Sequence, residues 1–563
     1  MKRALVLASV AAAALALPAV ASAHAILLKT FPQASATLNG SPGTVRLTFD
    51  EVVEPRFAVV SVTDAGGHSE VAGAPRHSPT DPYTLEVPVK HMAEGWYLVF
   101  WRAISADGHP VRGVFTFDIG PNPGPEPEFV VPKLTESAAT PPLLIARWAA
   151  FLSLMTALGL FVFRIGAARP VVELRAVSRA FVAALAVALV AVPVYVEVAT
   201  AKFALRSVWD VATVVPLMSG SAFGRGFLDL ELMLALFGFA ALVALWLDRP
   251  ERPRRSIAAL LALGGALLAG GAALLAPSAA GHAAQTAPRP LSILLDWLHL
   301  ASASVWIGGL IGMLVLWRSL PASRRTAGLA VCVPRFSNTA LLSVLVLVGS
   351  GTAAAIVHLP TLSSLWETGY GRTILLKVIL LAGAVILASA NLRDAKPALA
   401  QAETAEWGAR LIRRLVTGET LLVVGAIFAA ALLSSLPPPP RALAGIGSPS
   451  AHTGPGPVTS VVESQGYRLE VHVDPNKVGL ANDFAVRVSR GGAPVEGATV
   501  TATFTMLDME MPTQSYALKD EGGGLYERNA PALVMVGRWG LAFEVAPPGR
   551  SSFRVLLLDR ASG

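Results

Sequence analysis

Leu291-Ser-Ile-Leu-Leu-Asp296-Trp-Leu-His299-Leu-Ala-Ser-Ala-Ser-Val-Trp306-Ile-Gly-Gly309-Leu-Ile-Gly-Met-Leu-Val-Leu-Trp317 is an apolar run interrupted by two ionisable residues three positions apart. It exceeds the roughly 20 residues a helix needs to cross the hydrocarbon of a bilayer. Seven further runs flank it, near 142 to 163, 180 to 199, 227 to 247, 257 to 276, 338 to 357, 373 to 391 and 415 to 434. The chain of 563 residues is 53% hydrophobic and only 15% charged, with a mean hydropathy of +0.56, which excludes a wholly soluble protein. The formal charge of +7 is spread in small Arg clusters between the apolar runs, so nucleic acid is not an expected partner.

Those clusters orient the spans. If the first span runs from outside to inside, the inner connections hold seventeen Lys or Arg, from Arg164 to Arg179, Arg249 to Arg255, Arg318 to Arg335 and Arg393 to Arg414, against five in the outer loops. This is the positive-inside bias, and eight spans return the C-terminal region to the outside. All ten histidines then fall in exported domains, outer loops or outer halves of spans, which points modestly to extracytoplasmic metal. The single cysteine, Cys332, excludes an intramolecular disulfide and a Cys-based zinc or iron–sulfur site, and is expected to be inert at the edge of an inner loop.

Residues 1–23 read as a signal peptide: basic Lys2-Arg3, an apolar stretch to Val20, then the small-x-small pattern Ala21-Ser22-Ala23. His24 is the expected mature N-terminus. Residues 24–120 read as short strands at 45–49, 57–62, 83–87, 96–104 and 113–119, which fit a β-sandwich or a small Greek-key barrel. A Pro-rich linker at 121–141 leads to the membrane domain at 142–434, and a Pro/Gly/Ser linker at 435–459 leads to a second β domain at 460–563. Strands near 467–473, 484–488, 498–504, 525–528, 540–545 and 553–557 predict an immunoglobulin-like sandwich there.

Cleavage before His24 leaves a free α-amine beside that residue's own imidazole. Ser105-Ala-Asp107-Gly-His109-Pro110 follows the 96–104 strand and offers a carboxylate and an imidazole two residues apart. If the three share a pocket, amine, two imidazoles and a carboxylate make an N3O set that favours Cu(II) over soft Cu(I) or an octahedral hard cation. Asp-Gly is also a common turn, and taken alone it specifies no site. The residues His24-Ala25, Pro32, Val45-Arg-Leu-Thr-Phe-Asp-Glu51, Trp96 to Arg102 and Ser105 to Pro110 resemble the copper-binding CopC family across the whole first domain. That resemblance implies a cupredoxin-like all-β barrel holding Cu(II) through His24, Asp107 and His109. A Met-rich Cu(I) site found in some relatives has no counterpart, because only Met92 remains in the domain after cleavage. His68, His77 and His91 are expected to be solvated loop residues.

The eight-span region resembles the CopD family through Asp296-Trp-Leu-His299, Trp306-Ile-Gly-Gly309, Arg335-Phe-Ser337, Gly369-Tyr-Gly371 with Lys377, and Asn391. Ionisable groups inside a span are costly unless they face protein, water or an ion, so Asp296, His299, Lys377, Glu231 and Glu419 are functional candidates or buried ion-pair partners. His282 and His358, at the outer ends of the fourth and sixth spans, are candidates for the mouth of a path with His299. In the last domain Met506-Leu-Asp-Met509-Glu-Met511-Pro resembles YtkA-like domains and supplies weak Cu(I) candidates, since thioethers are soft ligands but also common core fillers.

The expectation is a non-enzymatic, multi-pass protein of a bacterial cytoplasmic membrane, with both β domains on the periplasmic side. It would capture Cu(II) outside and pass it to an eight-helix bundle for import. The alternative is a membrane-anchored sequestration or chaperone protein for copper resistance. Copper ions, the lipid bilayer and other extracytoplasmic copper proteins are the expected partners, and no ATP-binding or aspartyl-phosphate motif is present in the sequence. Because the His24 amine, with a reference pKa of about 7.7–8.0, must lose its proton to bind metal, Cu(II) affinity should fall as pH drops through neutrality. A titration that leaves the affinity flat between weakly alkaline and weakly acidic pH excludes amine ligation.

Overall fold

The computed structural model describes residues 25–562 apart from 26, 35, 105–109, 125–126, 128, 130–139, 172–173, 221, 249–253, 281–282, 284–287, 437–438, 440–448, 479, 508–512 and 535. His24, Asp107, His109, His282, Met509 and Met511 therefore lie outside the described residues, as do the signal peptide and most of both linkers.

The first domain comprises β1 (Leu27–Phe31), β2 (Thr37–Leu38), β3 (Thr44–Phe49), β4 (Val59–Asp64), β5 (Arg76–His77), β6 (Thr84–Pro88), β7 (Gly95–Ile104) and β8 (Pro110–Ile119). They form two four-stranded sheets, ordered β1-β3-β6-β5 and β2-β8-β7-β4. Along β3, Val45, Leu47 and Phe49 are buried while Arg46 and Thr48 point away, the period-2 pattern of a strand with one core face. Phe49 meets Trp101 edge-on, with ring centroids 5.5 Å apart.

β7 and β8 break that alternation: GWYLVFWRAI and PVRGVFTFDI are buried at nearly every position. Tyr97, Val99 and Trp101 fill the first domain's own core. Leu98, Phe100 and Val114, on the opposite face, join the core of the last domain, and the Val114 N–H donates to the Val534 carbonyl at 3.1 Å. A strand that is apolar on both faces signals a sheet covered on both sides.

The covering domain is a sandwich of β9 (Ala451–His452), β10 (Val458–Ser464), β11 (Tyr467–Asp474), β12 (Asn482–Arg490), β13 (Ala493–Pro494), β14 (Thr499–Met506), β15 (Gln514–Gly522), β16 (Leu525–Ala530), β17 (Gly537–Ala546) and β18 (Phe553–Ala561). Its ladder runs β10-β11-β12-β16-β15-β14-β17-β18-β9 without interruption. β15 makes this possible, because Gln514 to Leu518 pair with β14 and Lys519 to Gly522 pair with β16. One strand thus belongs to both sheets. Asp559 is buried beneath them and accepts from Thr453 Oγ1 at 2.9 Å and Asn476 Nδ2 at 3.1 Å; burial pushes its pKa up.

The membrane unit contains α1 (Pro141–Ile165), α2 (Arg175–Phe203), α3 (Val211–Gly220), α4 (Ala222–Leu247), α5 (Ile257–Ala280), α6 (Arg289–Ser319), α7 (Ala322–His358), α8 (Ser364–Glu367), α9 (Gly369–Ala390), α10 (Lys396–Ala400) and α11 (Ala405–Leu433). Eight of these helices are long and apolar enough to cross a membrane, matching the eight expected spans, and the chain is a multi-pass membrane protein. A π-helical segment, Asn391–Ala395, joins α9 to α10. α7 starts well before its expected 338 because 322 to 337 is amphipathic, burying Leu329, Cys332, Val333 and Phe336 at helical spacing.

α6 packs against α1, α2, α5, α7 and α11. Its approach to α1 is very close: a Cβ on Gly159 would lie 1.8 Å from the Ser304 carbonyl oxygen, and one on Gly308 2.2 Å from the Gly159 carbonyl carbon. Ser304, Gly308 and Gly312, four apart on α6, make the small-residue stripe that lets backbones touch. At the Arg-rich end, the Asp248 carboxylate meets Arg169 Nε at 3.1 Å, Arg255 Nε at 3.2 Å and Arg164 Nη1 at 3.4 Å, while Arg255 also donates to the Ile165 carbonyl. Burial alone would raise the Asp248 pKa, but the guanidinium groups of Arg169 and Arg255 hold it below the usual carboxylate value. Asp248→Asn leaves three clustered guanidiniums without their counter-ion, and breaking a buried pair in this way costs roughly 3–5 kcal/mol. The thermal midpoint of the detergent-solubilised variant should fall by several degrees; an unchanged midpoint would show that the cluster does not pin these helix ends.

Candidate functional site

Asp296, Trp297 and His299 sit two to three turns from the start of α6 and reach three neighbouring helices. Asp296 Oδ2 accepts from Ser278 Oγ on α5 at 2.6 Å, and Trp297 Nε1 donates to the Gly271 carbonyl of the same helix at 2.8 Å. The Asp296 carboxylate is within electrostatic reach of Lys377 and Tyr370. His299 Nδ1 lies 3.2 Å from the Leu347 carbonyl and 3.3 Å from Ser350 Oγ, both on α7. Its Nε2 lies 3.0 Å from Lys377 Nζ, on α9.

These contacts fix the tautomer by elimination. A carbonyl oxygen only accepts, so Nδ1 carries the proton and donates to Leu347. Nε2 is then the lone-pair nitrogen, and Lys377 donates to it. The imidazole has room because α7 carries glycine at position 351, where a Cβ would lie 2.9 Å from His299 Cε1. Asp296, His299 and Lys377 are thus brought together from two helices distant in sequence, at a half-buried position that offers a carboxylate and a nitrogen lone pair. Ser278, Ser350 and Gly351 complete the cluster, and sequence reading missed them because small and hydroxylated residues are frequent throughout these spans.

Glu419 belongs to a second polar station. It is buried on α11 and lines a cavity of about 100 Å3 with Asn391, Lys396, Trp306 and Met313. Lys377 and Asn391 are fourteen positions apart along α9, about 21 Å of helix rise, so the two stations are well separated. His358 ends α7, eight positions and about 12 Å of rise beyond Ser350, and does not join His299. Met506 is 2% exposed within the sandwich core, opposite Trp539. His68 is exposed and bonds to Asp64 at 3.0 Å; His77 Nε2 lies 2.9 Å from the Val53 carbonyl. Among the described residues, no three His, Cys, Asp or Glu side chains converge as a metal site would require.

Known proteins align with each part of the chain. Family models match at residues 27–120 (CopC domain), 330–433 (Copper resistance protein D) and 462–544 (YtkA-like). The Copper transport protein CutJ of Bacillus subtilis is 26% identical over 93% of both chains. Copper resistance protein C of Escherichia coli is 32% identical over 18% of this chain and 83% of its own length. The crystal structure of CopC from Methylosinus trichosporium OB3b is 30% identical, covering 18% of this chain and all of that one, with a TM-score of 0.17.

The tautomer gives a direct check. Nitrogen NMR of the protein labelled at histidine should show His299, identified by its loss in His299→Gln, with Nδ1 protonated and Nε2 bare. The opposite assignment would mean that Lys377 does not donate to the ring.

Proposed function

Because the chain belongs to the CopC family through its first domain, with a Copper resistance protein D domain and a YtkA-like domain behind it, we propose that it captures Cu(II) outside the cell and passes it into the helix bundle for import. The carrying observation is the half-buried Asp296–His299–Lys377 cluster inside a bundle of largely apolar helices. An intramembrane carboxylate, imidazole and amine are expensive to keep in lipid, and such groups mark ion paths.

Capture falls to His24, Asp107 and His109. The described neighbours support this: Ala25 is buried in the first domain's core, β1 opens with Leu27 paired to Phe49, and the Phe49 ring lies against Trp101. Trp101 is three residues ahead of the connection between β7 and β8, whose flanking residues Ile104 and Pro110 pair directly. Ala25, which follows His24, and Ala103 and Val111, on the strands that flank the Asp-x-His segment, belong to one core. A pre-organised N3O set of this kind suits tetragonal Cu(II).

Within the bundle, cargo copper takes His299 through Nε2, the nitrogen with the free lone pair. Lys377 occupies that lone pair in the resting state, so copper entry displaces the ammonium, which Asp296 can then neutralise. Lys377 acts as a latch that keeps the imidazole closed until metal arrives, and closure of this kind blocks leakage of smaller ions. His282 and His358 are assigned to the outer approach and Glu419 to the inner end of the path. Met506, Met509 and Met511 remain weaker Cu(I) candidates, and the buried position of Met506 favours a packing role for it. In this orientation both β domains face the periplasm of a bacterial cytoplasmic membrane, and the Arg-rich loops face the cytoplasm.

Two measurements test the reading. Electron paramagnetic resonance of the full mature protein with one equivalent of Cu(II) should give a nitrogen-rich tetragonal signal, and one extra residue inserted before His24 should lower the affinity at least about tenfold. Cells expressing the wild type should accumulate more copper than cells expressing His299→Ala. Equal accumulation with an intact spectroscopic signal would instead favour sequestration by a membrane-anchored copper protein.

A further inference from the structure

The Glu419 cavity holds a group that neither the copper-capture site nor the His299 station accounts for. Glu419 is 2% exposed, and its Oε1 has no hydrogen-bond partner. Its polar neighbour is Asn391, whose Oδ1 is likewise buried without a partner. The Asn391 amide is within hydrogen-bond reach of the Glu419 carboxyl, yet one acceptor oxygen on each residue stays bare, and a proton on Glu419 would give the site a further O–H donor.

The surroundings favour the proton over a metal. α6 and α7 line the cavity with apolar side chains, the Met313 thioether and Ser337; α9 adds Ser389; the π segment adds Asn391. Lys396 on α10 is the one charged residue beside Glu419 in the lining, and it forms no ion pair with it among the described residues. α1 meets α11 through Arg147 and Trp148, which bond to Ser434, Ser435 and Val424, one turn or more beyond Glu419. One carboxylate and one amide oxygen are far short of the six to eight oxygens a hard divalent cation needs.

The backbone is irregular at the same point. Asn391–Ala395 is π-helical, and such bulges are concentrated at functional positions. The irregularity places Asn391 at the head of the widened turn, opposite α11.

We propose that Glu419 is a proton-binding site whose proton is released as copper passes through the bundle and regained afterwards. This rests on the import reading above. In the step, the O–H bond of the carboxyl breaks, the proton leaves to water, and the carboxylate left behind balances the incoming positive charge.

The test is pH-difference infrared spectroscopy of the full-length protein in lipid nanodiscs. At neutral pH the carbonyl stretch of a protonated carboxyl should be present, absent in Glu419→Gln and restored at a shifted position in Glu419→Asp. Because glutamine mimics the neutral acid, Glu419→Gln should keep the wild-type thermal midpoint. Cupric or cuprous chloride should diminish the band in the wild type, with proton release to a lightly buffered medium reduced by one per protein in Glu419→Gln. No assignable band, or a large loss of stability in Glu419→Gln, would mean that Glu419 is an ionised structural partner of Lys396. A band that copper binding leaves unchanged would overturn the coupling. If wild-type cells take up no copper, the import reading fails, while the band still decides whether Glu419 holds a proton.

Discussion

The contact of Gly159 with Gly308 is the constraint on which the membrane domain depends. Lipid gives two apolar helices no reason to leave it for one another, so association has to come from close packing and interhelical hydrogen bonds. With no Cβ at either position, α1 and α6 approach until backbone meets backbone, and any side chain there would push them apart. α6 is thereby held in the interior of the bundle, against α1, α2, α5, α7 and α11. Only from an interior position can one helix present Asp296 to Ser278 on α5 and His299 to Leu347 on α7 and Lys377 on α9.

Three carboxylates in this unit, Asp248 and Glu419 buried and Asp296 half-buried, show how partners decide role. Asp248 faces three arginines and is fully compensated, so it serves as a fastener for helix ends and connections. Asp296 accepts from the Ser278 hydroxyl and lies within electrostatic reach of the ammonium of Lys377, a charge already shared with a histidine lone pair. Its balance changes if that ammonium moves. Glu419 has an oxygen with no partner at all. Along this series the carboxylate passes from locked, to poised, to uncompensated, and the capacity to change state during a transport cycle increases in the same order.

Much of this architecture was legible in the sequence because hydrophobicity at span length and period-2 alternation are strong local signals. All eight spans and most strands of both β domains stand where composition put them. The features that escaped have local patterns that mislead. The first four turns or so of α7 are too polar for a hydropathy window, yet Leu329, Cys332, Val333 and Phe336 carry a helical stripe. β15, with the sequence QSYALKDEG, reads as a loop because its second half lies on an edge where charged side chains are tolerated. The polar cluster was half legible: Asp296 and His299 announce themselves by their cost in a span, but their link to Lys377 crosses seventy-eight positions and depends on three helices meeting. Gly351 gave no signal, since the clash it avoids exists only once His299 is in place. The residues expected to capture copper fall outside the described residues, so the reading of that site still rests on their chemistry and on the core to which they are attached.

β7 and β8 join these observations to the last domain. A sheet needs one packed face to set its shape, and Tyr97, Val99 and Trp101 provide it. The second apolar face, with Leu98, Phe100 and Val114, exceeds that need. Burying each such side chain is worth about 1.5–3 kcal/mol, and leaving the three exposed would invite aggregation. The last domain removes that liability by extending its own core onto them and by offering the Val534 carbonyl to the Val114 N–H. Phe100 and Val114 are register partners, four residues from Ile104 and Pro110, the pair that flanks the Asp107–His109 connection. At about 3.3 Å per residue, the covered patch lies within roughly 13 Å of the strand ends from which that connection springs. Movement at that end of the sheet would therefore be felt at the covering domain through two continuous strands, and the last domain braces the sheet besides closing its open face.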